Sequence, residues 1–217
     1  MTLPSVAEMR TIGIPVVHAV TTDEIVSRPD FIDTACGIMR VLGARGALHL
    51  RTNRLPGARL QSLAEGLAAV QSLTGAWLIL NDRVDVALAA GARGVQLTSR
   101  SLATGDARRV APTLAIGASV HDAEEGRLAI ATGADWLVVP RKPVVLAGQH
   151  GSGTWVTQLA RSTSVPIIAI GGVQVGHVGA LREEGMHGVA VIRGIWDASN
   201  AEQAASDYLS AYDHVGV

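Results

Sequence analysis

Short apolar runs alternate with amphipathic segments along the whole of this chain. Each run is rich in Val, Ile, Leu and Trp and shows no polar alternation, which is typical of parallel strands covered on both faces. The pattern predicts eight strands, which are Val16–Val20, Ala47–Leu50, Trp77–Leu80, Gly94–Leu97, Leu114–Ile116, Trp136–Val139, Ile167–Ile170 and Val189–Ile192.

The segments between these runs carry apolar residues at helical spacing, and glycine-containing turns close many of them. The predicted helices are Phe31–Leu42, Ala58–Leu73, Val84–Ala90, Leu102–Val110, Ala123–Thr132, Thr154–Arg161, Val175–Glu184 and Ala201–Tyr212. Such regular alternation predicts an α/β fold, a single (β/α)₈ TIM barrel over residues 1–217. Residues 1–13 would be a lead-in and residues 200–217 a C-terminal helix and tail. A doubly wound open sheet is the competing fold, but no dinucleotide fingerprint accompanies the repeats.

Composition and charge narrow the class of protein. Hydrophobic residues make up 48% of the chain and charged residues 17%, so much of it must be buried. The 18 basic and 19 acidic residues do not cluster, which leaves no footprint for nucleic acid or an anionic membrane. No apolar run approaches the roughly twenty residues that span a bilayer, and no secretory signal pattern opens the chain. We expect a cytoplasmic protein that binds neither nucleic acid nor membranes, with a homodimer as an open option.

Two glycine turns follow the last two predicted strands. Gly171 and Gly172 end the seventh, and Arg193 and Gly194 follow the eighth. In a (β/α)₈ barrel these two loops commonly bind phosphate, because glycine lets backbone N–H groups approach the anion. The pair therefore predicts a phosphorylated small molecule, held by these four residues. The alternative is that glycine only ends a buried strand.

Further polar side chains follow the other strands, at the end of the barrel where active sites lie. Arg51 is hard to explain without an anion, because an unpaired guanidinium inside a barrel is costly. Its partner would be Asp82 or a ligand carboxylate. His177 and His187 are predicted to lie away from this rim. The candidates are His49, Arg51, Asn81, Asp82, Ser119, His121, Arg141 and Lys142.

Several of these segments carry a family resemblance. They are Asn81–Leu88, Gly94–Leu97, Ser119–His121, Ala169–Gly172 and Gly188–Val191, in that order. Over nearly its whole length the chain resembles the thiamine phosphate synthase / TenI family, which implies a TIM barrel acting in thiamine biosynthesis. Synthases of this family join hydroxymethylpyrimidine pyrophosphate to thiazole phosphate and need Mg²⁺. The TenI-type thiazole tautomerase moves a proton on a carboxythiazole phosphate without metal.

Two departures from the synthase pattern decide between these branches. The synthase motif Gln-Leu-Arg-x-Lys is matched by residues 49–53, with Asn53 in place of the lysine that binds pyrophosphate. Asp82 matches the first metal-binding aspartate, but Ser101 stands in place of the second and Arg100 lies beside it. Losing one carboxylate weakens a Mg²⁺ site. The resemblance therefore favours the TenI branch, a metal-independent isomerase with no cofactor.

The proton transfer of a tautomerase needs a base and an acid. The TenI histidine after strand six is matched by Arg141, and arginine is a poor base. With no histidine at that place, the catalytic candidates are Arg141 itself, Lys142 beside it and His121 after strand five. His121 also opens a helix, where a structural role is the alternative. Arg51, His49, Asn81, Asp82 and Ser119 would bind a thiazole phosphate together with the glycine turns. Two alternatives remain open, which are a thiamine phosphate synthase using Mg²⁺ and a non-catalytic binder or regulator.

Overall fold

A closed barrel of eight parallel strands forms the centre of the protein. In the computed structural model, residues 13–141 and 155–214 are described. Each strand pairs with the next along the chain, and the eighth pairs with the first, so the predicted (β/α)₈ barrel is confirmed. The strands are β1 Val17–Val20, β2 Gly46–Arg51, β3 Trp77–Asn81, β4 Gly94–Leu97, β5 Ala115–Ser119, β6 Trp136–Pro140, β7 Ile167–Ile170 and β8 Gly188–Val191.

Helices alternate with these strands on the outside of the barrel. They are α1 Asp23–Val26, α2 Phe31–Leu42, α3 Gly57–Thr74, α4 Val84–Ala90, α5 Thr104–Val110, α6 Ala123–Ala131, α7 Trp155–Ser162, α8 Val178–Glu183, α9 Arg193–Trp196 and α10 Ala201–Asp213. The sequence did not predict α1 or α9, each of four residues. The helix predicted from Val175 begins as a 3₁₀ turn, Val175–His177, before α8. None of the helices in the described part of the chain is long and apolar enough to cross a membrane.

Some of the predicted features lie outside the described residues. Lys142 is one of them, and so are the lead-in apart from Gly13 and the end of the predicted tail. Their assignments stay predictions.

Successive residues of each strand face opposite sides of the barrel wall, which creates two cores. One face packs against the helices, through residues such as Leu48, Leu80 and Ile116, all fully buried. The other face fills the barrel interior, where Trp77 and Trp136 are the largest side chains and Trp136 is fully buried. Trp136 fits because β5 carries glycine beside it: a Cβ added at Gly117 would lie 2.1 Å from Trp136 Cε2. Trp136 therefore fills the middle of the interior, below the end of the barrel where the predicted site lies.

Candidate active site

The polar strand ends meet at the C-terminal end of the barrel, which we call the mouth. Arg51 of β2 and Asn81 of β3 are register partners at their strand ends, and Ser119 ends β5. All three are half-buried and lie on the interior-facing parity of their strands. The mouth is therefore lined by a cation, an amide and a hydroxyl.

The guanidinium of Arg51 has no hydrogen-bond or ion-pair partner among the described residues. Its backbone is fixed by Thr21, whose Oγ1 accepts from Arg51 N at 2.8 Å and donates to Arg51 O at 2.9 Å. The first partner suggested from the sequence, Asp82, is engaged elsewhere: its Oδ2 accepts from Ser101 Oγ at 2.5 Å and from Thr98 Oγ1 at 3.3 Å. A half-buried cation without a carboxylate is suited to bind an anionic ligand.

The described residues hold no cluster of three or more His, Cys, Asp or Glu side chains that could bind a metal ion. Asp82 is one half-buried carboxylate at the mouth, next to a cis Asn81–Asp82 peptide bond. Asp23 is occupied differently, since it accepts from Thr52 Oγ1 at 2.5 Å and Asn53 N at 2.8 Å. These hydrogen bonds, chiefly that from Thr52, lower the pKa of Asp23. Asp23 thus fixes the loop after β2.

Two buried histidines lie beneath Asn81. His18 Nε2 lies 2.8 Å from Pro15 O, and His18 Nδ1 lies 2.8 Å from His49 Nε2. His49 Nδ1 is 3.1 Å from the side-chain amide of Asn81. Burial lowers the pKa of His18 to about 4 and that of His49 well below its usual value, so both rings are neutral at pH 7.

A second buried chain of hydrogen bonds ends at Ser119. The indole Nε1 of Trp136 donates to Gln96 Oε1 at 2.9 Å, and Gln96 Nε2 donates to Ser119 Oγ at 3.1 Å. Gln96 is 2% exposed, so these are its available partners together with Leu97 O at 3.4 Å.

The predicted phosphate residues lie in the exposed connecting loops after β7 and β8. Gly171 and Gly172 follow β7, and Arg193 and Gly194 begin the short helix α9 within the second loop. Gly171 and Gly172 have φ values of 107° and 58°, a left-handed region that favours glycine. Behind them the buried Tyr208 of α10 donates its hydroxyl to Val173 O at 2.9 Å. A Cβ at Gly194 would lie 2.3 Å from the same hydroxyl oxygen. Tyr208 therefore braces both loops, which we call the glycine loops.

Arg141 is bound to the first glycine loop. Its backbone N donates to Ile170 O at 2.6 Å, and its guanidinium donates to Gly172 O at 3.1 Å and to His177 Nδ1 at 2.6 Å. The prediction that His177 lies away from the rim is therefore wrong. This contact could not be predicted from the sequence, because His177 lies in a 3₁₀ turn that folds back toward β6.

His121 stands apart from these networks. Its side chain is 61% exposed and lies 3.2 Å from Glu125 Oε2, while Asp122 caps α6 by accepting from the N–H groups of Glu124 and Glu125. His187 contacts Ile14 O at 2.7 Å at the opposite end of the barrel, away from the mouth. Sequence reasoning did not single out Gln96, Trp136 or Tyr208. Strand parity was the signal for Gln96, because it shares the interior face with its register partner Asn81.

Comparison with known proteins identifies similar sequences and structures. A family model described as thiamine monophosphate synthase matches residues 17–195. The thiamine-phosphate synthase of Methanoculleus marisnigri is 36% identical over 204 residues, covering 88% of this chain and 94% of that protein. That of Roseiflexus castenholzii is 32% identical over 199 residues, covering 88% and 86%. The solved thiamine phosphate pyrophosphorylase from Pyrococcus furiosus superposes with a TM-score of 0.81 at 26% identity, covering 97% of this chain and all of that one.

These matches correct the main functional prediction. The similar proteins are synthases by name, with 30–36% identity over most of this chain. The prediction of a TenI-type tautomerase is therefore wrong, and the synthase alternative is the better supported one. The departures at Asn53 and Ser101 are two substitutions within a similarity that extends along the entire barrel, and they do not place the chain in the TenI branch.

Proposed function

The chain belongs to the thiamine monophosphate synthase family, and on that premise we propose that it is a thiamine-phosphate synthase. It would join hydroxymethylpyrimidine pyrophosphate to thiazole phosphate. The observation that carries the proposal is the 36% identity to a thiamine-phosphate synthase over 88% of this chain. The mouth adds physical support, because both substrates are anionic and Arg51 is a cation without a partner among the described residues.

The reaction makes one bond and breaks one. The thiazole ring nitrogen attacks the methylene carbon of the pyrimidine, a C–N bond forms, and the C–O bond to pyrophosphate breaks. Pyrophosphate leaves with the electron pair, and no proton has to be removed from either ring. A free histidine base is therefore unnecessary. This agrees with the engaged states of His49, of His121 beside Glu125, and of His177 beside Arg141.

Different residues of the mouth would bind different parts of the two substrates. Arg51 would bind the pyrophosphate oxygens, where its charge also stabilises the negative charge that grows on departure. The glycine loops, with Arg193 and Gly194, would hold the thiazole phosphate. Asn81 and Ser119 would contact a ring between the two anions. Holding two substrates in line in this way accounts for much of the rate that such a site can supply.

A magnesium ion fits this site with one protein carboxylate. Mg²⁺ commonly binds through one or two carboxylates and completes its shell with substrate phosphates and water. Asp82 would hold the ion, since its Oδ1 has no hydrogen-bond partner among the described residues. When bound, Mg²⁺ neutralises part of the pyrophosphate charge. Ser101 donates to Oδ2 of the same carboxylate, so it orients Asp82 rather than replacing it.

The test is direct turnover. Purified protein is incubated with both substrates and Mg²⁺, and thiamine phosphate and pyrophosphate are quantified. We expect the two products in a one-to-one ratio. Saturable binding of both substrates, measured by calorimetry, without any thiamine phosphate would refute the proposal.

A further inference from the structure

The hydrogen bonds inside the barrel have a direction that the chemistry of each partner fixes. The first series of hydrogen bonds starts at Pro15, whose carbonyl oxygen can only accept. His18 Nε2, 2.8 Å away, must therefore carry a proton. Since the buried ring is neutral, with its pKa lowered to about 4, its Nδ1 has no proton and can only accept. The neighbouring His49 Nε2 must then be the donor.

The same reasoning continues to Asn81. A neutral His49 that carries its proton on Nε2 has an unprotonated Nδ1, which needs a donor. The group 3.1 Å from Nδ1 is the Asn81 amide, placed with its Oδ1 toward the ring. Two acceptors cannot bond, and a half-turn of the amide exchanges its oxygen and nitrogen without moving any other group. The donor Nδ2 therefore faces His49, and the oxygen faces away from it.

The atom of Asn81 that faces away is open to a ligand. It has no hydrogen-bond partner among the described residues. Among the described residues, the side-chain polar atoms that are buried without a partner are Trp77 Nε1 and Trp196 Nε1. The outward-facing atom of Asn81 is not one of them, so it is not buried. Asn81 ends β3 at the mouth, so its carbonyl oxygen is an accessible acceptor there.

The second series of hydrogen bonds, which ends at Ser119, leaves a donor at the mouth and not an acceptor. An indole N–H can only donate, so Trp136 fixes Oε1 of Gln96 toward itself and Nε2 toward Ser119. Ser119 Oγ thus accepts from Gln96 and keeps its own proton for another partner. That proton has no acceptor among the described residues. Ser119 is half-buried at the end of β5, so it is a donor at the mouth.

We propose that two buried hydrogen-bond networks fix the polarity of the mouth, with an acceptor on Asn81 and a donor on Ser119. His18, His49, Gln96 and Trp136 are the positioning residues that set this polarity. The ligand that fits is a ring presenting an N–H or O–H donor toward β3 and a lone pair toward β5. The choice of ring rests on the proposed function, whereas the orientation of Asn81 does not.

The orientation can be measured without any ligand. In ¹⁵N-labelled protein at pH 7, both inferred links from His49 are N–H···N hydrogen bonds, which transmit nitrogen–nitrogen couplings. We expect one coupling between His49 Nε2 and His18 Nδ1 and another between Asn81 Nδ2 and His49 Nδ1. A His49 ring protonated on Nδ1, or no coupling to the Asn81 amide nitrogen, would overturn the inference.

The polarity at Ser119 is tested by a double-mutant cycle. In Gln96→Glu the carboxylate accepts from both Trp136 and Ser119, so the Ser119 proton turns inward. We expect binding of hydroxymethylpyrimidine pyrophosphate, measured by calorimetry, to weaken about tenfold, the effect of one lost hydrogen bond. In a Ser119→Ala background the same substitution is expected to cost nothing more. Additive losses would show that Gln96 does not act through Ser119.

A matched pair of substitutions at His18 tests the series of hydrogen bonds that leads to Asn81. His18→Gln can still donate to Pro15 O and accept from His49, whereas His18→Leu can do neither. We expect the Leu variant to lose about tenfold in affinity and the Gln variant to retain most of it. Equal losses would count against a positioning role. If the couplings are present but no thiamine phosphate forms, the proposed function fails and this inference stands; turnover without the couplings means the reverse.

Discussion

At the scale of single residues, the mouth combines an unpaired cation with neutral groups whose protons are fixed. Arg51 is half-buried and has no partner among the described residues, while the carboxylate that could neutralise it, Asp82, is bound by Ser101 and Thr98. Holding a charged guanidinium half-buried without a carboxylate partner costs desolvation free energy. The cost is offset when an anion binds, so Arg51 is the residue on which substrate affinity should depend most.

Substituting Arg51 tests this directly. Arg51→Gln removes the charge and keeps a donor of similar length, and a charge-assisted hydrogen bond contributes roughly 1.5–3 kcal/mol. We expect kcat/KM for the pyrophosphate substrate to fall by roughly ten- to a hundredfold, since 1.4 kcal/mol is a factor of ten. Arg127→Gln, on the exposed face of α6, is the matched control. Equal effects of the two variants would contradict a binding role for Arg51.

The buried histidines make stability depend on pH. The pKa of His18 is lowered from 6.5 to about 4, so between these values the unfolded chain binds more protons than the folded one. The free energy of unfolding should therefore be insensitive to His18 above pH 6.5 and fall by about 3 kcal/mol toward pH 4. His49 acts in the same direction. Urea titrations at pH 7 and pH 4.5 measure the loss. His18→Gln should show a smaller one, and identical losses would contradict this account.

At the scale of elements, the glycine loops depend on a helix that contributes no atom to the mouth. Tyr208 of α10 donates to Val173 O in the loop after β7 and occupies the space that Gly194 leaves in the loop after β8. The hydroxyl thus fixes the distance between two loops that approach from different strands. The glycine at position 194 is required by this packing and not by its backbone angle, because its φ is not in the left-handed region.

Two substitutions separate the brace from the loops. Tyr208→Phe leaves the ring in place and removes the hydroxyl, which should cost about 1 kcal/mol of stability and raise KM for thiazole phosphate severalfold. Gly194→Ala brings a methyl group against the hydroxyl and should raise the same KM. In the Tyr208→Phe background the alanine should be tolerated better, because the oxygen it meets is gone. Steady-state kinetics of the four proteins give the coupling, and additive effects would contradict the brace.

At the scale of the whole molecule, the barrel is closed and its interior holds two large aromatic residues, Trp77 and Trp136. Trp136 is fully buried and crosses toward β4 and β5, where Gly94 and Gly117 leave room. Its ring also contacts Trp77, with ring centroids 6.4 Å apart in an edge-on arrangement. The packing that stabilises the barrel is therefore the same contact that orients Gln96.

A pair of glycine substitutions tests this packing. Gly117→Ala would place a methyl group 2.1 Å from Trp136 Cε2, and overpacking of this kind typically costs about 1–3 kcal/mol. Gly66→Ala is the control: nothing lies within 4 Å of that position in the exposed middle of α3, so it should stabilise by about 0.5–1 kcal/mol. Denaturant unfolding compares the two. A neutral Gly117→Ala would contradict the packing account.

The barrel could be predicted from the sequence because its strands are continuous apolar runs with glycine turns at regular spacing. Phe31–Leu42, Val84–Ala90 and Ile167–Ile170 were predicted to the residue. The positions at the mouth also followed from the fold, because the C-terminal end of every strand faces it. Partners could not be predicted: the contact of Arg141 with His177 joins residues 36 apart, and that of Tyr208 with Val173 joins residues 35 apart. Such pairs depend on loop paths that periodicity does not specify.

The pairing of β1 with β8 bears on how the protein is made. On the ribosome, β1 emerges before β8, so one of its hydrogen-bonding edges waits for residues 188–191. Open strand edges readily pair with other chains, so the nascent protein carries an aggregation-prone edge until β8 has emerged. Its glycine loops gain their brace only after Tyr208 has emerged. The site should therefore be completed only once both β8 and Tyr208 have emerged, and not by increments as the nascent chain lengthens.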